Sequence, residues 1–135
     1  MTFTPALAAA ALYAGLNMLI LLRLSQIVIR HRMALNVSIG DGGDAALARA
    51  IRGHANAAET IPVTLVLLVL IALGGAPAWV AHVLGAGLTL GRGLHGWHFV
   101  HEGSSMALRS AGMAITLLVQ VLAALGLIGH ALWSL

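Results

Sequence analysis

Four polar side chains at helical spacing, Arg49, Arg52, Asn56 and Glu59, run into an uncharged block that extends from Val63 to Leu73. On a helix, Arg52, Asn56 and Glu59 lie above one another on a single face, and Arg49 flanks them one turn earlier. Two guanidinium forks, an amide and a carboxylate aimed the same way at the edge of an apolar segment are expensive to bury. They need partners, from within the protein or from a ligand. A fifth group, Arg109, falls in the first turns of a later apolar segment. There the helix field disfavours a cation unless an anion is bound nearby, and the same conflict applies more weakly to Arg49 and Arg52. This rim of the protein is therefore expected to bind carboxylates or phosphates. Positive-inside sorting and lipid headgroup binding would account for Arg30 and Arg32, but they leave Asn56 and Glu59 unexplained, because a headgroup anion has no use for a carboxylate.

Other chemistries find less support. His95, His98 and Glu102 share one helical face, with His101 adjacent. An imidazole and carboxylate set of this kind suits zinc or iron, but no further ligand sits at a metal-motif spacing, so no metal is expected and interfacial hydrogen bonding is preferred. Ser104 and Ser105 stand in no nucleophile-elbow context. The chain has no cysteine. Any thiol chemistry must therefore use a thiol supplied by the substrate.

These groups must be held by membrane helices. Of the 135 residues, 60% are hydrophobic and only 8% charged, and the mean hydropathy is +0.98. That is far above what a soluble domain of this size needs to fill its core. The apolar runs are too long and unalternating for outer-membrane strands. The net charge of +3 comes from few groups, without the aromatic interleaving of a nucleic-acid binder, so no nucleic acid is expected.

The sequence predicts one domain over 1–135, with four spanning helices at about 6–30, 45–73, 77–100 and 105–133. The first has no basic leader and no small-residue cleavage site, and reads as a membrane helix rather than a signal peptide. Its Arg23 reads as a snorkelling or interhelical residue. The Arg30-His31-Arg32 cluster is expected to close that helix on the cytoplasmic side. Gly40-Asp41-Gly42-Gly43 supplies a turn and Asp44 the next N-cap. Pro62 interrupts the hydrogen bonding of helix 2, and the glycines of helix 3 invite close packing. Both termini then lie outside and both charged loops face the cytoplasm.

The pattern Arg49-x-x-Arg52-x-x-x-Asn56-x-x-Glu59-x-x-Pro62, with the four-helix plan and chain length, resembles the MAPEG superfamily, membrane-associated proteins in eicosanoid and glutathione metabolism. The resemblance implies an all-α integral membrane four-helix bundle assembled as a homotrimer among membrane lipids. For a bacterial-type member it implies the inner membrane. It further implies glutathione as co-substrate, bound between subunits near the cytosolic face, and transfer of its thiolate to a lipophilic electrophile. By position, Arg52, Asn56 and Glu59 would be core ligands, with Arg49 and His95 beside them. Arg30 and Arg32 would contribute from the adjacent subunit, and Arg109, or failing it Arg92, would stabilise the thiolate. The chain departs from the eicosanoid enzymes at Thr60, where they have tyrosine, and at His95 and Phe99, where they place helix-3 tyrosines. Those departures open the alternative of a non-catalytic binding or scaffold protein. A small multidrug exporter is disfavoured because helix 1 has no carboxylate.

Overall fold

A computed structural model describes residues 2–135, which form α1 (Pro5–Leu35), α2 (Ala45–Leu73), α3 (Ala78–Val100) and α4 (Met106–Ser134), with no strand among the described residues. Three of the four starts have a side-chain cap. Thr4 Oγ1 accepts from the Leu7 amide, Asp44 Oδ1 from Leu47 and Ser105 Oγ from Ala107, each satisfying an otherwise orphaned N–H. α1 runs one turn further than the sequence predicts. Its basic cluster lies inside the helix, which ends only at Asn36 in the left-handed conformation (φ 54°). Arg32 stands in that last turn, where its carbonyl accepts from the Asn36 and Val37 amides; its Nη1 reaches forward to the Ser38 carbonyl at 3.0 Å and ties down the following loop.

α2 and α3 form the middle of the bundle. α1 packs against both on one side and α4 against both on the other, while α1 and α4 do not meet among the described residues. The core is built largely from small side chains, including Ala6, Ala9, Ala10, Ala72, Ala81 and Ala123 around Leu68, Leu88 and Val119. Small residues let the backbones approach where lipid, not water, is the competing solvent. The outer surface is the reverse of a soluble protein's, with Leu19, Val66, Leu90, Leu118 and Leu125 all exposed. α1, α2 and α4 are each long and apolar enough to cross a membrane. The more polar α3 lies against all three. The chain is a membrane helical bundle, with exposed Trp79 and Trp133 near one end and the 36–44 loop and 101–105 turn at the other.

Hydrogen bonds between side chains lock the helices in register. Asn17 Nδ2 on α1 donates to Thr89 Oγ1 on α3 at 2.8 Å, and Gln120 Nε2 on α4 donates to Thr64 Oγ1 on α2 at 2.8 Å. α3 and α4 come backbone to backbone at Gly91 and Gly112. A Cβ built on Gly112 would stand 2.6 Å from both the Gly91 carbonyl oxygen and the His95 amide nitrogen. Those are backbone atoms with no side-chain freedom to yield, so Gly112→Ala is expected to force α3 and α4 apart and destabilise by about 1–3 kcal/mol. Gly129→Ala on the same helix, where a Cβ meets nothing within 4 Å, should instead be neutral or stabilise by up to about 1 kcal/mol through helix propensity. Thermal unfolding of the two variants in detergent checks the opposite signs.

Candidate functional site

Arg92 is the group that α2, α3 and α4 are built around. It lies midway along α3 and is 1% exposed, the largest fully buried side chain among the described residues. Its Nε donates to Thr116 Oγ1 at 2.9 Å, and its Nη1 donates to Asn56 Oδ1 at 2.8 Å and Thr60 Oγ1 at 3.1 Å. Each of these acceptors is neutral. The two threonine hydroxyls donate their own protons one turn back, Thr60 to the Asn56 carbonyl and Thr116 to the Gly112 carbonyl. Their oxygens are thereby oriented as acceptors for the guanidinium.

A guanidinium has no acceptor, so the end of the Asn56 amide facing Arg92 must be its oxygen. The Nδ2 end is left for the space above, a cleft of about 270 Å³ at the 36–44 loop end, lined by Ala48, Arg49, Arg52, Asn56, His95, Phe99 and Arg109. Three arginines border it, and no carboxylate does. Phe99 stands between two of them, its ring centroid 5.9 Å from the Arg49 Cζ and 5.4 Å from the Arg109 Cζ, which are cation–π distances. The ring fits because residue 53 is glycine: a Cβ there would come 2.6 Å from the Phe99 Cβ. His95 is buried beneath, its ring centroid 5.0 Å from that of Phe99. Arg49 Nη2 donates to the carbonyls of His98 and His101, capping the C-terminal end of α3, while its Nε–H is buried without a partner.

Five residues expected from the sequence, Arg49, Arg52, Asn56, His95 and Arg109, therefore line one cleft. Glu59 does not. It is exposed on α2, one turn deeper than Asn56, where the Arg92 network closes the floor. Arg30 is exposed on α1, Arg32 holds the loop, and neither borders the cleft of the same protomer. The remaining histidines face elsewhere: buried His98 contacts Ser104 Oγ at 3.1 Å through Nδ1, and His101 stacks on Trp97 with centroids 3.8 Å apart.

In the sequence Arg92 stands only as a substitute for Arg109, Thr60 and Phe99 only as departures from the eicosanoid enzymes, and Thr116 and Gly53 carry no expected role. The signals were there in Asn56, Thr60 and Thr64 at intervals of four on α2, and in Thr116 and Gln120 at the same interval on α4. A lone arginine inside an apolar helix must find acceptors on its neighbours, and these are the nearest stripes able to supply them.

Residues 10–129 match the description MAPEG family. The chain belongs to that family. It is also 38% identical over 126 residues, 93% of its own length and 95% of the relative's, to the inner membrane protein YecN of Escherichia coli strain K12, and equally to the protein of that name in Escherichia coli O6:H1. In this MAPEG-family chain the polar face of α2 and the α3–α4 end meet at one cleft, with a buried cation as its floor.

The network is directional, and a mutant cycle can expose this. Thr116→Val removes the Nε acceptor while the cation stays buried, and should cost about 1–2 kcal/mol. Arg92→Met leaves both threonines with their own-helix bonds and only Asn56 unpaired, beside a cleft that admits water. In the Arg92→Met background Thr116→Val should then cost almost nothing. Unfolding free energies of the four proteins in detergent give the coupling directly, and additive losses would show that Thr116 does not serve Arg92.

Proposed function

We propose that this chain is a membrane-bound glutathione-binding protein acting as a glutathione transferase or glutathione-dependent peroxidase, joining the thiolate of glutathione to lipophilic compounds that arrive from the bilayer. The observation that carries this reading is the donor-rich, carboxylate-free cleft, where Arg49, Arg52, Arg109 and the free end of Asn56 converge. Glutathione has two carboxylates, an ammonium, two amides and a thiol. Arginines suit the carboxylates, the Asn56 Nδ2 suits an amide carbonyl, and the unpartnered Arg49 Nε–H is one further donor. Arg109 sits in the first turn of α4, where the helix field and the guanidinium together favour an anion. It is the residue assigned to the thiolate.

The ligand's ammonium is assigned to Glu59, and this requires a second subunit. Glu59 is exposed in the protomer, yet it lies about 15 Å along the helix from Arg49, well inside the span at about 1.5 Å per residue. A carboxylate cannot face lipid at that depth without a partner. A homotrimer would surround it, with Arg30 and Arg32 of a neighbouring subunit closing the site. We assign the protein to the bacterial inner membrane, as the name of its relatives suggests, with the cleft toward the cytoplasm and both termini outside.

A second reading, a non-catalytic binding or scaffold protein, draws on Phe99: the ring between the two arginines carries no hydroxyl, so it can position them but cannot donate to a bound thiolate. Ultraviolet absorbance of bound thiolate, titrated with pH, separates the roles. The parent protein should form thiolate near neutral pH when glutathione is added. Arg109→Ala should still bind glutathione, but with the midpoint raised by about 1–3 pH units. Glu59→Gln should weaken binding roughly 30-fold or more with little change in midpoint. An unmoved midpoint in Arg109→Ala would transfer the role to Arg92. Thiolate without conjugation of a generic electrophile would favour the scaffold reading.

A further inference from the structure

On the opposite side of α3 from the cleft, a seam between α1 and α3 remains open along the bundle surface. Near the 36–44 loop end it forms a groove of about 480 Å³ between Leu19, Ile20 and Leu24 on one wall and Trp97 and Val100 on the other. A second groove of about 580 Å³ continues it toward the far side of the membrane, sharing Ile20, Gly93 and Trp97. The floor is open at Gly93, where a Cβ would meet nothing within 4 Å. From Ala86 to His101 the helix rises about 22 Å at about 1.5 Å per residue. That exceeds the roughly 15 Å of one leaflet, half of an apolar core about 30 Å thick.

The two ends of the seam differ in chemistry. The deep end is mostly apolar, lined by Ala86, Leu90 and Leu94 with the Tyr13 ring and Thr89, and the Thr89 hydroxyl is already engaged by the Gly85 carbonyl and Asn17 Nδ2. The shallow end carries Arg23, exposed at the groove rim, and the exposed indole of Trp97 stacked on His101 at the last turn of α3. Leu24, the neighbour of Arg23, packs with Ala57 and Ile61 of α2 and lies 3.7 Å from the Cβ position of Gly96. That contact sets the Arg23 backbone level with Ala57 to Ile61, and the long side chain lines the groove together with Val100 and His101, so its guanidinium can snorkel up the groove toward the level of a headgroup. The carbonyls of His98 and His101, which would otherwise repel an anion there, already accept from Arg49.

We propose that this seam is a binding site for one anionic phospholipid, its phosphate on the Arg23 guanidinium and one acyl chain lying over Gly93 between α1 and α3. The site shares no lining residue with the arginine cleft and does not depend on glutathione chemistry. Its selectivity comes from one charge, and its capacity for any lipid comes from the open glycine floor. These two contributions can be separated by mutation.

The test is native mass spectrometry of the full-length protein in a mild detergent, titrated with dioleoyl phosphatidylglycerol or with dioleoyl phosphatidylcholine. The parent should retain the anionic lipid about fivefold better, which is what one basic side chain contributes near an anionic headgroup. Arg23→Gln should bring that ratio to about one and leave phosphatidylcholine unchanged. Gly93→Leu, which fills the groove without touching the bundle interior, should weaken both lipids. Gly15→Leu, an equal addition to an open position on α1, should weaken neither. A ratio of one in the parent, an undiminished ratio in Arg23→Gln, or undiminished retention of both lipids by Gly93→Leu would each overturn the proposal.

Discussion

The buried guanidinium of Arg92, held by neutral oxygens from two neighbouring helices, is the constraint on which the rest of this bundle depends. A charge at that depth must have every donor met, and the acceptors must come from α2 and α4 together. Their positions fix the rotation and height of three helices. The α3–α4 approach at Gly91 and Gly112 follows from the same requirement, since Thr116 can reach the Arg92 Nε only if the two backbones nearly touch. Lipid supplies little hydrophobic drive between helices, so such polar contacts and small-residue packing carry the specificity of the fold.

The same arrangement determines the electrostatics of the cleft. With no carboxylate in the Arg92 network, its positive charge is not cancelled, and it adds to Arg49, Arg52 and Arg109 around the opening. The network also turns the Asn56 amide, so that a donor rather than an acceptor faces the space. Every oriented group on the rim thus favours an anion or a carbonyl, and Phe99, seated in the slot left by Gly53, keeps Arg49 and Arg109 apart. Fold and site are not separate designs here. The contacts that close the bundle also set its charge.

Much of this was legible in the residues. Apolar runs bounded by Asp44, Ser105 and the glycine turns located four helices within a few residues, because caps and hydropathy act locally. Period alone put Arg52 and Asn56 on one face. It could not tell that Glu59, on the same face, lies below the point where the cleft closes, because depth depends on which residue of α3 bridges to α2. Nor could it reveal Arg92 as the centre: its partners are 24 to 36 residues away on other helices, and only packing brings them together. The extra turn of α1 was hidden for a local reason: the helix ends at Asn36 in the left-handed conformation, with the Arg32 carbonyl accepting the capping amides, rather than at the basic cluster itself.

If uncancelled arginine charge governs this cleft, then the ligand's carboxylates should dominate binding. Calorimetric titration of the purified protein with glutathione and with its diethyl ester compares one skeleton with and without those charges. Glutathione is expected to bind at least about tenfold more tightly, a conservative value for losing charge-assisted bonds to two arginines. Equal affinity for the two compounds would contradict it.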